Sequence, residues 1–264
     1  MLKKILIGSS WIVLLSGVVF LLVFSSFKQN ETACAGFDVN INYQGTDHLI
    51  TPWIVKNQIK NRCGDPVSHS LSDINIENIE LQILSIPYVQ KADVFLSIEG
   101  RLVARIIQRK PLMRVINRLG QEFYVDDEGV LMPANFNFPA RVIVVNGNIT
   151  LPYSPHANLA NFKAGKSDTL QSRLNLYRAF HVVQKAVADS FLLAQVSQLY
   201  FNSDNEIEMT PAFGNHLILF GDTSNTRGKF EKLEAFYIQA MPKVGWETYK
   251  TINLKYENQI ICIK

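Results

Sequence analysis

The chain has 264 residues, a formal charge of +3 and 47% hydrophobic residues. So small a charge, with no dense Lys/Arg block beyond the N-terminus, argues against nucleic acid as a partner. The three cysteines cannot all pair within one chain. Cys34 and Cys63 are a pair that an oxidising compartment would allow to bridge, three unpaired thiols are an equal alternative, and Cys262 reads as a buried strand thiol.

Residues 5–27 carry no charge, and a run of about 20 apolar residues suffices for one membrane-spanning helix. Lys3 and Lys4 precede it, so residues 1–4 read as a cytoplasmic tail and everything after the span as extracytoplasmic. A cleaved signal peptide is the rival, with Ala33-Cys34-Ala35 as its site, but the apolar run is longer than a signal core and a polar spacer intervenes. A buried core helix would rarely lack a polar face over this length. The stretch reads as a retained signal anchor, and residues 28–35, polar and small, as its linker.

The remainder has room for one or two ordinary domains. Phe37-Asp38-Val39-Asn40-Ile41-Asn42-Tyr43 alternates with period two, a half-buried strand that Gln44-Gly45 ends. Thr51 and Pro52 open a helix as N-cap and first helical residue, Ile50 and Val55 staple it, and Gly64 stops it. A second helix starts near Asn75, with Ile76, Ile79, Ile83 and Ile86 on one face and Pro87 at its end. Two strands follow, Val89 to Ile98 and Leu102 to Gln108, joined by Glu99-Gly100. The inward positions of the first are Ala92, Val94, Leu96 and Ile98. This order, strand, helix, helix, strand, strand, describes a three-stranded sheet with two helices on one face over residues 36–110.

Residues 111–264 read as a mixed, β-rich domain with two helices, so the fold class is α+β. Phe123 to Leu131 is strand, turn, strand, and Ala140 to Val145 is an aliphatic strand ending in Asn146-Gly147. A long helix is predicted from Asp168, where Asp168 and Gln171 resemble a capping box and Leu170, Leu174, Tyr177, Phe180 and Val187 share a side. Strands at Leu199–Asn202, Glu206–Met209 and Leu217–Phe220 lead to a helix carrying Phe230, Leu233, Tyr237 and Met241. The chain finishes with strands at Thr251–Tyr256 and Gln259–Ile263 around Glu257-Asn258.

No catalytic constellation is visible. The histidines at 48, 69, 156, 181 and 216 are scattered and read as surface or loop residues, with no metal-ligand spacing among them. There is no G-x-S-x-G, S-x-x-K or P-loop pattern. Asp126-Asp127-Glu128 is the densest carboxylate cluster and reads as a solvated turn ahead of Gly129. The chain is therefore expected to have no enzymatic activity, cofactor, metal or small-molecule substrate.

Several segments resemble a known family. Ile86 to Val94 (IPYVQKADV) and Gln108-Arg109-Lys110-Pro111, behind a short N-terminal anchor, resemble a POTRA domain of the kind found in the cell-division family FtsQ/DivIB. That family often has Glu where Gln108 stands and a Pro where this chain has Glu99-Gly100. Phe123 to Leu131, Leu217 to Asp222, Lys229 to Tyr237 and Ile252 to Cys262 are similar to its β-domain, in the form found in Bacteroidetes.

The resemblance implies a non-catalytic bitopic scaffold of the divisome, a single-pass type II inner-membrane protein at the septum with both domains in the periplasm. It links early and late division proteins and takes up FtsB and FtsL homologues at its C-terminal edge. By position, Lys255, Tyr256, Glu257 and Asn258 match the partner-binding segment, and Gln259, Ile260 and Ile261 lie in the strand after it. Tyr256 is then an aromatic anchor; its alternative is a core tyrosine, and alternation puts one of Ile260 and Ile261 in the core. The last strand is also the edge with no helix after it, and unpaired backbone groups at an edge accept a partner strand. By the same resemblance, the second helix and the Val89–Ile98 strand contact other divisome membrane proteins. The alternative function is a POTRA-containing envelope assembly or secretion component, and an anchored envelope enzyme stands third for want of a nucleophile and base.

Overall fold

The computed structural model describes residues 14–20, 33–161 and 168–264. Most of the expected anchor lies outside the described residues; residues 14–20 of it are helical. Among the described residues no helix is long and apolar enough to cross a membrane. Beyond it the chain forms two compact units, one holding Ile50–Gln108 together with the strand ending at Asn42, the other holding Tyr43–Leu49 and Arg109–Lys264.

In the first unit β1 (Gly36–Asn42), α1 (Pro52–Cys63), α2 (Ile76–Leu84), β2 (Val89–Leu96) and β3 (Arg101–Gln108) follow in order. The sheet runs β1-β3-β2, with β1 parallel and β2 antiparallel to β3. The sequence signals act as expected. Thr51 caps α1 by accepting from the Ile54 amide, Asn75 caps α2 by accepting from Asn78, and Gly64 leaves α1 at φ 87°. Val55 and Ile59 of α1 and Ile79 and Ile83 of α2 are buried against Val39, Val94, Leu102, Ala104 and Ile106 of the sheet. Ile98 departs from the expected alternation. It is 98% exposed, because β2 ends at Leu96 and Ile98 rides on the turn into β3. Gln108 is fully buried and its Oε1 accepts the Ile50 amide at 3.2 Å, so a neutral amide here satisfies a backbone donor without burying a charge.

The second unit is built on a nine-stranded sheet ordered β12-β11-β10-β9-β8-β7-β4-β5-β6. Its strands are β4 (Pro111–Ile116), β5 (Glu122–Asp126), β6 (Leu131–Pro133), β7 (Ile143–Gly147), β8 (Val196–Phe201), β9 (Ile207–Pro211), β10 (Leu217–Gly221), β11 (Thr251–Asn253) and β12 (Ile261–Ile263). β4, β7 and β8 are mutually parallel, as are β10 and β11. Parallel neighbours need a crossover. α3 (Asp168–Val187) and α4 (Ser190–Gln195) supply it between β7 and β8, and α5 (Thr226–Gln239) and α6 (Met241–Val244) between β10 and β11. Among the described residues this unit thus has four α-helices where two were expected.

One face of this sheet carries the core. Val115, Phe123, Val145, Leu199, Met209, Phe220 and Ile252 bury against Leu176, Val183, Leu192, Phe230, Leu233 and Tyr237 of the helices. On α3 the inward face is Leu176, Ala179, Phe180, Val183 and Ala186. Leu174 and Tyr177, expected on that face, are 43% and 47% exposed; a helix with apolar residues on two sides has no single stripe to read. Gln171 is half-buried, while the side chains of Asp168 and Leu170 fall outside the described residues.

The carboxylate cluster also differs from expectation. Asp127 and Glu128 are exposed, but Asp126 is fully buried. It accepts from Arg109 Nη1 at 2.7 Å and from the amides of Glu128 and Val130. Burial raises its carboxyl pKa, and the hydrogen bonds from Arg109 and the Val130 amide offset this only in part. The exit motif at 108–111 is thereby tied to the Asp-Asp-Glu-Gly turn by an ion pair that their spacing in the chain does not disclose.

Candidate functional site

The C-terminal edge is assembled by α5. Asn225, at φ 45°, caps this helix by accepting from the Gly228 amide. One turn in, Lys229 is buried: its Nζ donates to Asp222 Oδ1 at 2.7 Å and to Asp222 O at 2.9 Å, and stands 5.1 Å from the Phe220 ring centre. A buried ammonium is tolerated only when paired. Here the pair fixes the turn out of β10.

Lys232, one further turn along, donates to Leu254 O at 3.1 Å and to Tyr256 O. Desolvation and the nearby Lys229 lower its pKa. Lys255 pairs with Glu206, and its amide donates to Asn253 Oδ1 at 3.0 Å. The segment from Leu254 to Ile260 is therefore a pinned turn, not the continuous strand expected through Tyr256.

On that turn Lys255, Tyr256, Glu257, Asn258 and Gln259 are all exposed, Tyr256 by 49%. It is not a core tyrosine. β12 then pairs with β11, Thr251 opposite Ile263, Ile252 opposite Cys262 and Asn253 opposite Ile261. Ile260 and Cys262 pack on the core, while Ile261 and Ile263 are 39% and 55% exposed. Burial raises the Cys262 thiol pKa. Among the described residues β12 has a strand neighbour on one side only.

The register continues this surface across the sheet. Asn146, Tyr200, Glu208, Leu219, Asn253 and Ile261 form one row from β7 to β12. None of the six belongs to the helix-covered core.

Other expected residues are not brought into this surface. Cys34 is a buried thiol whose Sγ donates to Gly36 O at 3.3 Å, and Cys63 is a half-buried thiol accepting from Asn78 Nδ2. Among the described residues no group of His, Cys, Asp and Glu has the arrangement of a metal site. His216, expected at the surface, is buried, with Nε2 2.6 Å from Tyr237 Oη and burial lowering its pKa. Lys229 and Lys232 were not singled out from sequence, since their partners lie 7 and more than 20 residues away and no local pattern marks them.

A small sheet under two helices, followed by a sheet-built unit with an open terminal strand, defines a POTRA-plus-β-domain protein. Residues 32–107 match the POTRA-like domain, and residues 110–263 match the family described as FtsQ/DivIB, C-terminal related. The chain belongs to the FtsQ/DivIB family of cell-division proteins. A comparison with curated proteins finds no match.

Proposed function

We propose that the protein is a non-catalytic bitopic scaffold of the divisome, anchored in the inner membrane by residues 5–27 with both units in the periplasm. It takes up FtsB and FtsL homologues by strand addition to β12. The observation that carries this reading is the edge itself: among the described residues β12 has a strand neighbour on one side only, and Ile261, Ile263 and Tyr256 are exposed. Backbone hydrogen bonds along such an edge supply affinity, and outward side chains at alternate positions supply selectivity. Tyr256 adds an aromatic anchor at low entropic cost, on a turn that Lys232 holds from behind. Lys255, Glu257, Asn258 and Gln259 form the polar rim around it.

The test is co-purification of the full chain with the periplasmic segments of FtsB and FtsL homologues. Tyr256→Ala is expected to weaken capture by about tenfold or more. A double change, Ile261→Asp with Ile263→Asp, leaves Ile260 and Cys262 on the core and is expected to abolish capture. Undiminished binding by both variants would move the interface elsewhere. No binding by the wild type would return the function to envelope assembly or secretion.

A further inference from the structure

A cleft of about 510 Å³ opens in the second unit, lined by Ile116, Asn117, Arg118, Asn146, Asn148 and Tyr200, with the Phe201–Ser203 segment completing it. Its size falls in the roughly 300–1,000 Å³ range of small-molecule sites. It also lies where such sites form in sheets with parallel strands, outside the carboxyl ends of parallel neighbours, here β4, β7 and β8.

The wall is rigid because most of its amides are internally satisfied. Asn117 Oδ1 accepts from the Leu119 and Gln121 amides, and its Nδ2 donates to Leu151 O and Gln121 Oε1. Asn202 Oδ1 accepts from the Asp204 and Glu206 amides, and its Nδ2 donates to Glu208. Asn148 Nδ2 donates to Asn205, whose Oδ1 also accepts from Asn175. At the floor Gly147 sits at φ 95°, and a Cβ there would come within 2.2 Å of Phe201 O. Only a glycine lets β7 approach the Phe201 backbone this closely at the cleft floor.

A few groups in this rigid frame remain unspent, and nearly all are donors. Arg118 is exposed and forms no ion pair among the described residues; its one side-chain bond goes to Asn148 Oδ1 at 3.3 Å. Asn146 uses its Oδ1 to accept from Gln198, which leaves its Nδ2 free. The Tyr200 ring and hydroxyl and the Ser203 hydroxyl are exposed. No carboxylate is among the residues lining the cleft; nearby, Glu122 is matched by Arg114 and Glu206 by Lys255, while Glu208, opposite Tyr200, accepts from Asn202 Nδ2. What is left is one unmatched guanidinium fork, an amide donor, two hydroxyls and an aromatic face, in a lining that is part polar and part apolar.

We propose that this cleft binds a carboxylated sugar. The Arg118 fork takes the carboxylate in two parallel hydrogen bonds, Asn146, Ser203 and the Tyr200 hydroxyl take ring hydroxyls, and the Tyr200 ring stacks on the apolar face of the sugar. The site does not depend on the scaffold reading.

The test titrates the full chain with N-acetylmuramate, N-acetylglucosamine and inorganic phosphate, read by isotope-edited amide NMR or calorimetry. N-acetylmuramate is expected to bind at least tenfold more tightly than the neutral sugar. Arg118→Ala is expected to weaken it about tenfold, and Tyr200→Leu to weaken both sugars, while Arg141→Ala, at an exposed arginine away from the cleft, changes nothing. Arg118 and Tyr200 are surface residues, so circular dichroism melts of the variants should match the wild type. Equal binding of both sugars, phosphate binding as tight as N-acetylmuramate, loss in the Arg141 variant, or no binding would each overturn the proposal.

Discussion

Lys229 holds the turn out of β10, and its side chain is 6% exposed while that of Asp222 is 63% exposed. Asp222 is held down to a pKa of about 2, first by the hydrogen bond from Lys229 and then by that from Ser224. Its folded pKa thus lies below the unfolded 3.8, so its contribution is fully present above pH 3.8 and is lost as pH falls through about 2. Solvent screening at so exposed a carboxylate limits the contribution to about 1 kcal/mol. Thermal melts of the wild type and Asp222→Asn should differ at pH 5 and converge near pH 2. A gap that does not change with pH would mean that charge on Asp222 does not stabilise the turn. From sequence, Leu217 to Asp222 and Lys229 to Tyr237 were legible as a strand, a helix and two segments resembling the family, but not as partners. The ion pair joining them appears only once α5 folds back on β10.

Elements were legible wherever one local signal decided them. Thr51, Asn75 and Gly64 bound α1 and α2 because capping is chemistry among near neighbours. The turn at Leu254–Ile260 was legible only as a break at Glu257-Asn258, since Lys255 and Tyr256 extend an alternating run and the groups that bend it, Lys232 and Glu206, are distant in the chain. Lys232 reaches across from α5 to two carbonyls of that turn, so it is a positioning residue for the Tyr256 surface. Lys232→Ala should therefore weaken capture of the FtsB and FtsL segments about tenfold, comparable to losing a charge-assisted hydrogen bond. The Tm should fall by no more than about 4 °C, because the Phe230, Leu233 and Tyr237 face of α5 stays buried. Lost capture together with collapse of the domain would show instead that Lys232 supports the whole fold. Unchanged capture would free Tyr256 from the pinned turn.

At the scale of the molecule, the β-α-α-β-β order over the first unit was readable because each element follows its neighbour and the sheet is small. The nine-stranded sheet was not, because β7 lies between β4 and β8, and a 20-residue helix separates β7 from β8. Alternation reveals that a strand exists but not which strand lies beside it. The two units also have separate cores, with Ile59, Ile83 and Leu102 in one and Val183, Leu199 and Phe220 in the other. Tyr43–Leu49, though it joins β1 to α1, belongs with the second unit, where Asn135 Nδ2 donates to Leu49 O at 2.8 Å and the Arg141 amide to Asp47. Because stability resides in the two cores, calorimetry of the full chain should resolve two transitions. Ile83→Ala removes a fully buried side chain from the first core and Leu199→Ala one from the second. Each should cost about 2–5 kcal/mol and lower only its own transition. One transition moved equally by both variants would mean that the segment at 43–49 couples the cores strongly enough for them to unfold together.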